Sequence, residues 1–117
     1  MIRRSPTQAS GDAAEDRALA FLAGRGLRLL ERNVASRLGE IDLVMRDGEV
    51  VVFVEVRSRA RSDYGGAAAS VGPAKQRRLR REAQRYLNGR FGDRWPACRF
   101  DVCAIDATTI DWIRDAF

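Results

Sequence analysis

Residues 39–57 read Gly39-Glu40-Ile41-Asp42-Leu43-Val44-Met45-Arg46-Asp47-Gly48-Glu49-Val50-Val51-Val52-Phe53-Val54-Glu55-Val56-Arg57. The first half alternates polar and apolar residues, Asp47-Gly48 is a tight-turn dipeptide, and a valine-rich run follows directly, which predicts a β-hairpin. With Asp47 and Gly48 as the turn residues, Arg46 faces Glu49, Asp42 faces Phe53 and Glu40 faces Glu55. Strand side chains alternate, so Glu40, Asp42, Phe53, Glu55 and Arg57 project to one side, with Asp42 diagonal to Glu55 at roughly 7 Å. Carboxylates that close among valines cost stability unless a basic group or a metal neutralises them, and a hard, oxygen-seeking ion such as Mg²⁺ fits. Glu40 also fits an ordinary solvated face. Asp42 and Glu55 fit it less well, because the second strand is apolar on both faces apart from Glu55, the pattern of a central strand covered from both sides.

Working outward, 117 residues give room for one domain, 1–117, with one core. A hydrophobic fraction of 45% and a charged fraction of 32% are those of a soluble globular protein, and no run is long enough to span a bilayer. The basic start Met1-Ile2-Arg3-Arg4-Ser5-Pro6 leads into no apolar stretch of signal-peptide type, so a cytoplasmic protein is expected. Cys98 and Cys103 lie at an odd spacing on one predicted strand and point to opposite faces, which argues against a disulfide between them. There is no histidine, and with it go every imidazole base and the standard zinc sites. The chemistry left is that of carboxylates and a metal, or none. The formal charge is +5, the sequence pI is about 10.2, and Lys75 is the sole lysine among 21 cationic residues. Such a surplus favours polyanionic partners, and arginine adds planar, bidentate contacts to phosphate.

Around the hairpin, apolar residues at helical spacing predict a helix over 8–23, ended by Gly24 and Gly26. Glu15 shares a face with Leu19 and Leu22 and so leans inward, as a partner for an arginine or as part of a site. Residues 1–7 read as a flexible tail, 27–34 as a first strand, and 58–72 as a mobile loop of the kind that closes over a substrate. Pro73 opens a second helix running to about residue 90, with Leu79, Ala83, Tyr86 and Leu87 as its buried stripe. Its other face sets Lys75, Arg77, Arg78, Arg80, Arg81 and Arg85 against the single acid Glu82, which suits an anionic partner or a plain solvated face. A strand over 99–105 and a short element of open type over 110–113 complete the chain. The order α-β-β-β-α-β predicts a single-domain α/β fold, a mixed sheet with flanking helices.

Glu15 on the first helix, Gly39-Glu40-Ile41-Asp42, Val54-Glu55-Val56-Arg57 and the basic helix after them resemble the PD-(D/E)XK nuclease superfamily. More narrowly, the chain resembles the YraN-like family of small bacterial proteins, related in fold to archaeal Holliday junction resolvases. The resemblance runs from Gly11 to Phe117 and is most specific at 39–44, 53–59 and Phe100-Asp101-Val102. It implies a restriction-endonuclease-like fold and a metal-dependent endonuclease acting on DNA, with branched or recombining structures as a candidate substrate class and Mg²⁺ or Mn²⁺ as cofactor. It implies metal ligation by Asp42, Glu55 and the carbonyl of Val56, with Glu15 completing the shell directly or through water. Arg57 stands where the superfamily motif has lysine, and an always-protonated guanidinium cannot take a proton from water. Lys75 and Gln76 match a place where related nucleases carry auxiliary polar residues, so Lys75 is the candidate replacement. Arg59, Arg61, Arg77, Arg78 and Arg81 are the implied contacts to the DNA backbone, and a homodimer is the expectation by analogy with resolvases. The alternatives are a non-catalytic nucleic-acid-binding protein that keeps the nuclease fold, and a module whose basic helix meets an acidic protein.

Overall fold

The hairpin lies at the centre of a five-stranded mixed sheet. A computed structural model describes residues 6–58 and 71–117, with side chains from residue 11 onward. Its elements are α1 (Pro6–Gly24), β1 (Arg28–Ser36), β2 (Gly39–Asp47), β3 (Val50–Ser58), α2 (Pro73–Phe91), β4 (Cys98–Ile105) and β5 (Ile110–Ile113). The strands lie in the order β1-β2-β3-β4-β5, with β3 and β4 parallel and all other pairs antiparallel. A parallel pair cannot be joined by a tight turn, so α2 serves as the crossover between β3 and β4. The element over 110–113 is thus an edge strand. The expected tail over 1–7 and loop over 58–72 lie largely outside the described residues, and so do Arg59 and Arg61.

The two helices cover opposite faces. Ala14, Ala18 and Leu22 of α1 pack with Leu43, Met45, Val52, Val54, Cys103 and Ile105. Leu79, Ala83, Tyr86 and Leu87 of α2 pack with Val34, Ile41, Val44, Val51, Phe53, Phe100 and Val102 on the other side. Val51 to Val54 are all at most 1% exposed, which is why this strand is apolar at consecutive positions. Cys98 is exposed and Cys103 buried, both free thiols. No helix among the described residues is long and apolar enough to cross a membrane.

Three details depart from the sequence reading. Asp47 pairs with Val50, so the turn residues are Gly48 and Glu49, and Gly48 takes φ +59 as the first residue of a two-residue turn. The register therefore moves by two residues: Val44, not Asp42, faces Phe53, and Glu40 pairs with Ala35 of β1. Aligning Leu43 with Val54 and Met45 with Val52 keeps large apolar pairs together under α1.

The period-two alternation also breaks in the middle of β2. Leu43 and Met45 face α1, whereas Ile41, of the same parity, packs on the α2 side. Opposite them in β1, Arg32 reaches the α1 acids Glu15 and Asp16, while Val34 packs on the α2 side. Both strands turn over between these pairs, at Asn33 and Asp42, and Asn33 has φ +53. Last, Glu82 belongs to the interior rather than to the basic face of α2. It is fully buried, bonded to Ser36 Oγ at the end of β1 and to Arg85, whose Nε is 2.8 Å from Glu82 Oε1. That bond ties α2 to the β1–β2 corner, where a Cβ on Gly39 would come within 3.0 Å of Arg78 O.

Candidate functional site

The regular pairing of β2 with β3 ends at Leu43 and Val54, and the next residues on the two strands are Asp42 and Glu55. Here the side chain takes over from the backbone ladder. Asp42 Oδ2 accepts the Val56 N–H at 2.8 Å, so the carboxylate stands in for a main-chain acceptor of β2 toward β3. Glu55, only 6% exposed, projects toward α2. Lys75, in the first turn of α2, places Nζ 2.8 Å from Glu55 Oε1, and Arg57 Nη1 stands 3.8 Å from the same oxygen. Pro73 at the start of α2 fixes where that turn begins, and Gln76 secures it: its main-chain N–H donates to Gly72 O and its side-chain Nε2 to Val71 O.

Glu15 comes from α1 on the other side and is nearly buried, at 9% exposure. Its Oε1 lies 3.5 Å from Arg32 Nη2 as an ion pair, and that buried oxygen has no well-formed hydrogen bond among the described residues. Arg32 is drawn instead to Asp16, 2.7 Å from its Nη1. Burial raises the Glu15 pKa above the usual carboxylate range, opposed by Arg32 and by a hydrogen bond from Asn33.

Asp42 is pushed further, up to about 7. Burial is the main cause, the charge of Glu55 adds to it, Glu15 and Glu40 contribute, and the Val56 hydrogen bond acts the other way. Lys75 and Arg57 therefore leave Asp42 short of positive charge. Asp42 and the neighbouring Glu55 offer a pair of oxygen donors of the kind that suits a hard divalent cation. Among the described residues no three carboxylate or thiol side chains are grouped so as to hold a metal on their own. Asp42 and Glu55 are the pair able to hold one, with main chain or water filling the rest, as is usual for Mg²⁺.

The structure thus brings together Asp42, Glu55, Val56, Arg57, Lys75 and, from the α1 side, Glu15. Gln76 is turned to the main chain, and Arg77, Arg78 and Arg81 are exposed along α2. Sequence reasoning did not single out Asn33 or Arg32, which surround Glu15. Asparagine in a strand-like run was the available signal, since it is a poor strand former and tolerates the left-handed region. Asp101, in one of the stretches that carried the resemblance, is a structural carboxylate. Fully buried, it accepts hydrogen bonds from Arg99, from Trp112 Nε1 at 2.9 Å and from the Asp115 N–H at 2.9 Å.

Comparison with known proteins agrees with the family resemblance. The profile of the uncharacterised protein family UPF0102 matches residues 14–105. A UPF0102 protein of Ralstonia nicotianae is 61% identical over 113 residues, covering 93% of this chain and 86% of that protein. Another, from Ralstonia pickettii, is 58% identical over 115 residues, covering 95% of this chain and 91% of its own length. A UPF0102 protein of Alkalilimnicola ehrlichii is 54% identical over 113 residues, covering 97% and 90%.

Proposed function

The chain belongs to the uncharacterised protein family UPF0102, and from that premise we propose that it is a metal-dependent endonuclease of PD-(D/E)XK type that hydrolyses phosphodiester bonds in DNA. The observation that carries the reading is the meeting of Asp42, Glu55 and Lys75 where β2 and β3 part, with Lys75 Nζ 2.8 Å from Glu55 Oε1. In this reading Asp42 and Glu55 hold Mg²⁺ or Mn²⁺, with Glu15 behind them. The ion, when bound, polarises the phosphodiester and lowers the pKa of a bound water. Arg57 presents a permanent charge to a phosphate oxygen, and its guanidinium does not exchange protons at working pH. Lys75 supplies the compact ammonium that the motif position lacks and comes to it from a helix rather than from β3. The exposed Arg77, Arg78 and Arg81 extend the positive charge along α2 from Lys75, where they fit successive phosphates.

A second reading is supported by Arg57 itself: a nucleic-acid-binding protein that keeps the nuclease fold without turnover. Cleavage of labelled single-stranded, duplex, flap and four-way-junction DNA, with Mg²⁺ or Mn²⁺, separates the two. Metal-dependent cutting that falls about 100-fold or more in Asp42→Ala, with DNA binding retained, is the expected result. Absence of cutting by the unsubstituted chain, alongside salt-sensitive binding by both proteins, would replace the nuclease reading with the second.

A further inference from the structure

Asn33 stands in β1 directly across from Asp42, flanked by the pairs Arg32–Leu43 and Val34–Ile41. Regular alternation would put Arg32 and Val34 on one face of the sheet, and Leu43 and Ile41 likewise. Instead Arg32 and Leu43 belong to the α1 side, Val34 and Ile41 to the α2 side, and the reversal occurs at Asn33 and Asp42 together. The backbone of Asn33 is in the left-handed region, at φ +53, which most L-residues resist and asparagine tolerates better. Under regular alternation Asp42 would stand perpendicular to the sheet. With the reversal its carboxylate lies where the ladder would continue, and Oδ2 meets the Val56 N–H at 2.8 Å.

We infer that Asn33 is a positioning residue: its left-handed backbone turns β1 over in step with β2 at Asp42, and so sets the Asp42 carboxylate against the Val56 amide and beside Glu55. Its value to the proposed nuclease rests on the reading of Asp42 and Glu55 as a metal pair, whereas the geometric role stands without metal. The role lies in the backbone, so it reverses the usual ranking of strand residues. Valine suits a regular strand and resists φ > 0, while glycine weakens a strand and accepts it.

The test compares Asn33→Gly, Asn33→Ala and Asn33→Val by two measurements. In the metal-free proteins, amide hydrogen exchange at Val56 is read against Val52 and Val54 on the same strand. Asn33→Gly is expected to keep Val56 as protected as in the unsubstituted chain. Asn33→Val is expected to speed its exchange about tenfold or more relative to Val52 and Val54. Asn33→Ala, which carries only the cost of the left-handed region, folds and shows the same change to a smaller degree if Asn33→Val does not fold. Calorimetric titration with Mn²⁺ should then show affinity retained in Asn33→Gly and reduced about tenfold in Asn33→Val or Asn33→Ala. Unchanged relative protection of Val56 in Asn33→Ala and Asn33→Val overturns the inference. Failure of the unsubstituted chain to bind Mn²⁺ removes the metal reading instead, and Val56 exchange still decides the role of Asn33.

Discussion

Asp42 sits among valines with the charges of Glu55, Glu15 and Glu40 around it, and its pKa of about 7 makes the site sensitive to pH near neutrality. The folded value lies above the ordinary 3.8, so between the two the folded chain holds a proton that the unfolded chain has released. Its stability is therefore greatest below about pH 4 as far as this group is concerned, and declines as pH rises through 7. In metal-free buffer we expect the free energy of urea unfolding to fall by on the order of 1–2 kcal/mol between pH 5 and pH 8, less than the roughly 2.6 kcal/mol of an unscreened shift over that window because the side chain is partly exposed. Asp42→Asn should flatten that decline, and added Mg²⁺ should oppose it at pH 8, where the ionised pair binds best. An equally steep decline in Asp42→Asn would assign it to other groups. At this scale the identity of the acids was legible in the sequence, because Asp42 and Glu55 are charges inside apolar runs. The surroundings were less so. Asn33 and Arg32 reach Glu15 only because two strands reverse at one level, and alternation, the rule by which strands are read, is what fails there.

At the scale of elements, α2 performs two tasks with one turn pattern: it brings Lys75 to Glu55 and it anchors the β1–β2 corner through Glu82. Its span was legible almost to the residue, since Pro73 starts it and the buried stripe of Leu79, Ala83, Tyr86 and Leu87 repeats at helical spacing. Glu82 was misread because charge on a basic helix face suggests solvent, whereas it neighbours Ala83 and Leu79 inside the sheet contact. The hairpin was found from its turn dipeptide, but its register slipped by two because both Asp47-Gly48 and Gly48-Glu49 satisfy a two-residue turn. Burial would raise the Glu82 pKa, but hydrogen bonds from Arg85 and Ser36 more than offset it and hold the carboxyl below its usual range. The pair is asymmetric: Glu82 is fully buried, whereas the Arg85 side chain is 46% exposed. Arg85→Ala leaves a buried carboxylate with Ser36 alone and should cost about 2–4 kcal/mol. Glu82→Leu frees Arg85 into water and should cost about 1 kcal/mol or less. Urea denaturation of the two variants checks the order, and equal losses would show that the ion pair itself, rather than burial of one partner, sets the energy.

Over the whole molecule, the sheet separates two apolar layers and opens at Asp42 and Glu55, and the cationic surplus is unevenly used. Arg85 is committed to Glu82, and Arg80 stacks over Phe100 and Phe117 at 5.4 and 5.6 Å. The exposed Arg77, Arg78 and Arg81 continue from Lys75 on the same helix, in a chain of formal charge +5. If these three neutralise DNA phosphates, each contributes about 0.9 to the slope of log K against log salt for duplex DNA, and together about 2.7. Replacing all three with alanine should therefore make the slope shallower by 2–3 units. The affinity lost between 50 and 200 mM NaCl should shrink by about 40-fold relative to the unsubstituted chain. Asp42→Ala, which removes a negative charge, should leave the slope unchanged and bind duplex at least as tightly. Fluorescence anisotropy with a labelled duplex over that salt range reads all three proteins. A triple variant with the full slope would move the DNA contact off α2, and with it the link between Lys75 and a bound phosphate, since one helix carries both.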